Sequence, residues 1–181
     1  RNITAQSLPA DTKFDIYIVD GGSTDGTVES VKTQFPHVNI KTVDGVFWNR
    51  GMIEAWKMAE EKKRNGCNYD YYLWLNDDTF IYKDCIASLL RVSLLKKNRT
   101  IVLGSTVDTQ TRSKLTYGGR DKTGKVARPS SDDSPVPVIM MNGNIVLVPH
   151  SVYKKLGTLD PYYTHARGDF DYGLRARKAG I

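Results

Sequence analysis

The stretch Leu73-Trp74-Leu75-Asn76-Asp77-Asp78-Thr79 decides the fold. It reads as an apolar strand that ends abruptly in two carboxylates. A strand of a parallel sheet, buried on both faces, is a nearly continuous apolar run. Ligands of open α/β sheets bind just beyond the C-terminal ends of such strands. Two adjacent carboxylates repel each other, so a semi-buried pair at that position calls for a cation. A hard divalent ion, Mg²⁺ or Mn²⁺, takes oxygen ligands and bridges to phosphates. A solvated loop after a strand accounts for the same residues equally well, and two further segments tip the balance.

The first is Ile16-Tyr17-Ile18-Val19-Asp20-Gly21-Gly22-Ser23-Thr24-Asp25-Gly26-Thr27. An apolar run again ends in a carboxylate. Glycines and hydroxyls follow, and Val28, Val31 and Phe35 then recur at helical spacing, giving strand, loop, helix. Gly21 and Gly22 admit close backbone approach to a ligand. Asp20 stands at the strand tip, where it can accept hydrogen bonds from a base or ribose. Neither G-x-x-x-x-G-K-[ST] nor G-x-G-x-x-G is present. The second segment is Arg167-Gly168-Asp169-Phe170-Asp171-Tyr172-Gly173-Leu174-Arg175-Ala176-Arg177-Lys178-Ala179-Gly180. Acids open a helical pattern, bases close it and a glycine stops it, which complements the helix dipole. Asp169 reads as well as a first-turn acid as it does as a functional carboxylate.

The chain alternates strand and helix through its first 105 residues. The patterns predict strands at 15–19, 39–42, 71–75 and 101–105, and helices at 27–34, 49–63 and 84–96. Met52, Ala55, Trp56 and Ala59 face inward on the second helix; Ile86, Leu89, Leu90 and Leu94 do so on the third. Such alternation means α/β with a mainly parallel sheet. Past Ser105 come strands at 115–118, 138–141 and 144–148 and helices at 151–156 and 169–179, with a mobile loop expected at Ser130–Pro135. Phe47 is expected in the core. Trp48 is either core or the floor of a sugar site.

A chain of 181 residues suits one domain with a real core. The formal net charge of +6 suits anionic substrates or an anionic membrane surface. Its Lys/Arg clusters, Lys62-Lys63-Arg64 and Lys96-Lys97-Asn98-Arg99, fall at helix ends and carry no nucleic-acid motif, so no nucleic-acid partner is expected. Cys67 and Cys85 lack metal-ligand spacing and read as free thiols of a cytoplasmic protein. No apolar run reaches the ~18 residues of a membrane span.

Taken together, these segments resemble the inverting family 2 glycosyltransferases of the GT-A fold, the Rossmann-like type of spore-coat polysaccharide synthesis. The resemblance rests on Val19 to Thr27, on Asn76-Asp77-Asp78 at the place of the family's D-x-D metal motif, and on Gly168-Asp169 before Leu174-Arg175-Ala176 and Gly180. It implies sugar transfer from a nucleotide-diphosphate donor to an acceptor hydroxyl of a glycan, polysaccharide or lipid-linked sugar, with Mn²⁺ or Mg²⁺ on the diphosphate. Asp20 then matches the nucleoside contact, where the family usually has a second acid or Asn in place of Gly21. Asp78 matches the principal metal ligand. Asp77 matches its neighbour, on ribose or metal-bound water. Asn49 and Arg50 match a polar segment near the nucleotide, and Arg50 offsets phosphate charge. Asn142 and Gly143, which on their own read as an Asn-Gly turn, match a segment near the donor sugar. Asp169 matches the catalytic base, although the usual Glu before it is here Gly168. A base on the face opposite the leaving group gives inversion; on the residues alone a retaining course through a carboxylate nucleophile stays open.

In that family an apolar strand precedes the helix to which Ile3–Leu8 would belong, and it lies between the strands at 15–19 and 71–75. The chain is therefore expected to be a single domain cut at both ends, with a nucleotide-binding half (1–105) and an acceptor half (106–181). Those two strands should not pair with each other, and their open edges should favour self-association. The expected location is the cytoplasm, including the inner face of the membrane. Two rival classes fit these residues less well. A haloacid-dehalogenase-type phosphatase needs an acid and a Thr at spacings that neither Asp20 nor Asp77 provides. A non-catalytic sugar-binding module of the same fold would not need Asp169.

Overall fold

The computed structural model describes residues 2–64, 66, 68–130 and 134–181. They gather into two compact units, one from residues 11–69 and 158–168, the other from residues 1–10, 70–157 and 169–181. The expectations for Cys67 and for most of the Ser130–Pro135 loop lie outside the described residues.

The smaller unit runs β1 (Tyr17–Asp20), α1 (Thr27–Gln34), β2 (Asn39–Thr42) and α2 (Trp48–Arg64). β1 and β2 are parallel, with Tyr17 opposite Asn39 and Asp20 opposite Thr42. The helix α2 buries Asn49, Ile53, Trp56 and Ala59, which share one face at i, i+4 and i+3 steps. The inward face is thus turned from the expected one: Ile53 and Asn49 replace Met52 and Ala55, which are half-buried. Hydrogen bonds that draw Asn49 inward, described below, account for the rotation. At the other end of α2, Lys62 Nζ and Tyr69 Oη both donate to Asp15, at 2.8 and 2.6 Å.

The larger unit holds β3 (Tyr71–Leu75), α3 (Cys85–Leu95), β4 (Val102–Leu103), β5 (Gly118–Arg120), β6 (Met140–Asn142), β7 (Ile145–Pro149), α4 (His150–Leu156) and α5 (to Lys178 from Gly168). One sheet has the order β3-β7-β4, and β5 pairs with β6. Both pairings of β7 are antiparallel, as is β5–β6. The protein is α/β, but the expected mainly parallel sheet gives way: among the described residues β1–β2 is the one parallel strand pair. Alternation of strand and helix implies parallel neighbours only if no later strand intrudes. Here β7 does. Its five residues are all buried, so it takes the centre, where both faces are covered. Val146 and Val148 are fully enclosed, each stabilising the fold by roughly 1.5–3 kcal/mol. Among the described residues β1 pairs with β2, and β3 pairs with β7.

Two expectations about helices are corrected. Residues 3–8 form a turn followed by irregular chain rather than a helix. Their polar groups are engaged elsewhere: Ser7 N donates to Lys83 O at 2.7 Å, and Asn2 Oδ1 accepts Ile81 N at 2.8 Å. On α3, Leu94 is exposed and Ser93 is buried instead. The Ser93 hydroxyl donates to Asn98 Oδ1, and Asn98 N returns a bond to Ser93 O. The half-buried Cys85 is a free thiol, and burial pushes its pKa up. Among the described residues no helix is long and apolar enough to cross a membrane.

Candidate active site

The carboxylates Asp77 and Asp78 follow β3, both exposed. The β3–β7 register ends with Leu75 opposite Ile145 and then continues one step into the loops. Asn76 N donates to Asn144 O at 2.9 Å, and Asn76 Nδ2 to Asn144 Oδ1 at 3.3 Å. Thr79 N closes a turn onto Asn76 O at 3.2 Å. The loop bearing the paired acids is therefore tied to the turn that joins β6 to β7.

The same turn grips Asp169. This carboxylate is buried in the first turn of α5. Its Oδ2 accepts Asn142 Nδ2 at 3.1 Å and Gly143 N at 3.2 Å, and its Oδ1 accepts Phe170 N at 2.9 Å. A carboxylate offers about four lone-pair positions. Three N–H groups leave one, on Oδ1. The helix behind it is firmly seated. Tyr172 is fully buried, its ring edge meets Trp74 at 5.1 Å between centroids, and its hydroxyl donates to Gly157 O at 3.1 Å. Five of the sequence-derived residues are thus linked through the turn between β6 and β7: Asp77 and Asp78 by way of Asn76 and Asn144, and Asn142, Gly143 and Asp169 directly. The parts played by Asn76 and Asn144 went unread. The signal for them was their register, one residue past each end of a β3–β7 pair.

The remaining three lie in the smaller unit. Asp20 is buried, and its Oδ2 accepts Gly22 N and Ser23 N, both at 3.0 Å. The Ser23 hydroxyl, then those backbone groups and the Thr42 hydroxyl, hold its carboxyl below the usual range, against the opposing effect of burial. Asp20 therefore shapes its own turn. A Cβ at Gly21 would lie 2.9 Å from Val46 O, which explains why no second acid can follow Asp20 in this backbone. Asn49, expected near a nucleotide, is fully buried. Its Nδ2 donates to Asp160 O at 2.9 Å and Tyr163 O at 2.7 Å, so its amide braces the segment 158–168. Arg50, next in sequence, is exposed. Phe47 is 62% exposed rather than core, with its ring edge on His165 at 5.6 Å.

Among the described residues no three His, Cys, Asp or Glu side chains converge as a self-sufficient metal cage. Mg²⁺ is ordinarily held by one or two carboxylates together with substrate phosphates. An exposed pair such as Asp77 and Asp78 has the hard oxygen chemistry for that arrangement.

The architecture is that of an α/β protein with its polar residues collected at strand ends, the usual place for substrates of such sheets. Residues 1–144 match the family described as Glycosyl transferase family 2, and the chain belongs to that family. Membership implies the GT-A fold and, at the level of the family, a glycosyltransferase that uses nucleotide-sugar donors. A search of curated proteins found no match.

Proposed function

We propose that the chain carries the catalytic groups of a metal-dependent, inverting glycosyltransferase that moves a sugar from a nucleotide-diphosphate donor to a hydroxyl of a glycan or lipid-linked acceptor. The observation that carries this reading is the shared turn, in which Asn142 and Gly143 orient Asp169 while Asn144 ties down the strand tip bearing Asp77 and Asp78.

In this reading Asp169 is the general base. An acceptor hydroxyl is a poor nucleophile at neutral pH, and a carboxylate within hydrogen-bond reach removes its proton as it attacks. The free lone pair on Oδ1 receives that proton, while Asn142 and Gly143 keep Oδ2 from turning. Asp78, with Asp77 beside it, would hold Mn²⁺ or Mg²⁺. When bound there, the ion offsets charge on the leaving diphosphate. Attack on the face opposite the leaving group, with no covalent intermediate, inverts the anomeric centre.

The test combines calorimetry with donor hydrolysis, water standing in for the acceptor. Asp78→Asn should weaken Mn²⁺-dependent binding of a nucleoside diphosphate about tenfold or more. Asp169→Asn should leave that binding intact and slow hydrolysis roughly 10²–10⁴-fold. NMR of the first-released sugar should show the inverted anomer. Equal loss of donor affinity in Asp169→Asn would make Asp169 a structural residue and end this assignment.

A further inference from the structure

Immediately after the paired acids, the chain reads Thr79-Phe80-Ile81-Tyr82. Exposure alternates along it: Phe80 is 83% exposed, Ile81 is buried and Tyr82 is 67% exposed. The segment is irregular chain between β3 and α3, with Ile81 turned into the core and both neighbouring rings left in solvent. Ile81 belongs to the core with Ile86, Leu89, Val102, Ile145 and Leu147. Among the described residues neither exposed ring packs on another ring, and the Tyr82 hydroxyl makes no hydrogen bond.

The backbone here is not free to fold the rings inward. Ile81 N is held by Asn2 Oδ1 at 2.8 Å, and Gln6 Nε2 donates to Tyr82 O at 2.9 Å. Lys83 O accepts Ser7 N at 2.7 Å. Gln6 Oε1 also takes Ile86 N at 3.2 Å. Three side chains or amides from the first residues thus pin the segment while two large aromatics stand in water. Isolated exposed apolar residues are ordinary. Two on one pinned segment, two and four positions beyond Asp78, ask for an occupant.

We propose that Phe80 and Tyr82 form an acceptor platform on which the pyranose rings of a glycan stack. A pyranose presents a face of C–H groups to the electron-rich face of an aromatic ring and keeps its hydroxyls outward in water. That pairing suits a flat aromatic with a polar tip, such as tyrosine. The inference rests on the transferase reading and names its acceptor as a sugar chain rather than a lone lipid or a protein. Continuity with Asp77 and Asp78 along the chain carries the choice, since an acceptor must lie beside the donor's reactive end.

Affinity electrophoresis of the 181-residue chain tests this, using gels cast with soluble polysaccharides: hydroxyethyl cellulose, glycol chitin, dextran, galactomannan and a rhamnogalacturonan. At least one should retard the protein. Phe80→Ala/Tyr82→Ala should weaken that retardation about tenfold or more, by the usual worth of a ring-face contact. Phe80→Trp/Tyr82→Trp should restore it. Retardation by none of the gels, or equal retardation of the alanine variant, overturns the proposal. Loss of binding to phosphatidylcholine vesicles, with no glycan effect, would also overturn it in favour of a lipid contact. Donor hydrolysis is followed in parallel: if it fails to depend on Asp78 while the glycan still depends on Phe80, the transferase reading fails and the platform stands. The reverse pattern leaves the transferase and removes the platform.

Discussion

The side-chain amide of Asn142 donates to Oδ2 of Asp169 across 3.1 Å, on the oxygen that also accepts the Gly143 amide. One oxygen is thereby anchored twice, and the other keeps a vacant lone pair. Orientation of a base is a transition-state matter, because the ground-state donor complex does not need it.

Asn142→Ala should therefore slow donor hydrolysis about 10–100-fold, the worth of one hydrogen bond to a charged group. Affinity for a nucleoside diphosphate with Mn²⁺ should hardly change. Rates at saturating donor, set against calorimetric affinity, separate the two. A variant that loses affinity and retains its rate would place Asn142 on the donor instead.

A second expectation concerns acid. Asp108 accepts Gln110 N, Thr111 N, the Thr111 hydroxyl and Lys114 N, at 2.6–3.1 Å. Chiefly the Thr111 hydroxyl, then the Thr111 amide, push its pKa down to about 2. The folded value lies below the ordinary 3.8. Whatever stability the Asp108 turn contributes is thus present above the ordinary value and lost as the pH falls through about 2. Carboxyl NMR should give a midpoint near 2. Asp108→Asn should lose amide-exchange protection at residues 110, 111 and 114 at every pH. A midpoint near that of a free aspartate would mean the turn does not close in solution.

Much of this molecule is legible in one dimension. Local period and punctuation give α1, β2 and β3 with their bounds, because those elements are set by neighbours in sequence. The strand-tip acids are legible for the same reason: an abrupt change from apolar to charged needs no knowledge of contacts, whereas Asp169 reads locally only as an acid in the first turn of a helix. The place of β7 is not. Ile145-Val146-Leu147-Val148 says only that both faces are buried, and a parallel or an antiparallel centre satisfies that equally. Asn49 misleads because a polar residue opening a helix looks exposed, and only its long-range carbonyl partners reveal it as buried. Phe80 and Tyr82 go unread because aromatics beside an apolar Ile81 look like core. Their exposure follows from pins made by Asn2, Gln6 and Ser7, more than seventy positions earlier.

The last expectation addresses Gly168, where the family more usually has Glu. A Cβ at Gly168 would lie 1.7 Å from Asn49 Oδ1, far inside any contact distance. The Asn49 amide cannot easily yield, since its nitrogen is committed to Asp160 O and Tyr163 O and the side chain is fully enclosed. Its Oδ1 accepts no hydrogen bond, so the oxygen is held there by the two bonds of its own nitrogen. Gly168→Ala should cost about 1–3 kcal/mol by overpacking. That lowers the melting temperature by roughly 2–4 °C per kcal/mol for a chain of this size. Gly168→Glu, which would restore the family's usual residue, should cost at least as much. Asn49→Ala alone should also destabilise, by taking the amide donor from Tyr163 O and leaving Asp160 O with the longer bond from Tyr163 N at 3.3 Å. The decisive measurement is the double-mutant cycle. In the Asn49→Ala background the penalty for Gly168→Ala should nearly vanish, a coupling of about 1 kcal/mol or more. If the two penalties simply add, Asn49 does not exclude a side chain at position 168, and the glycine before Asp169 has another cause.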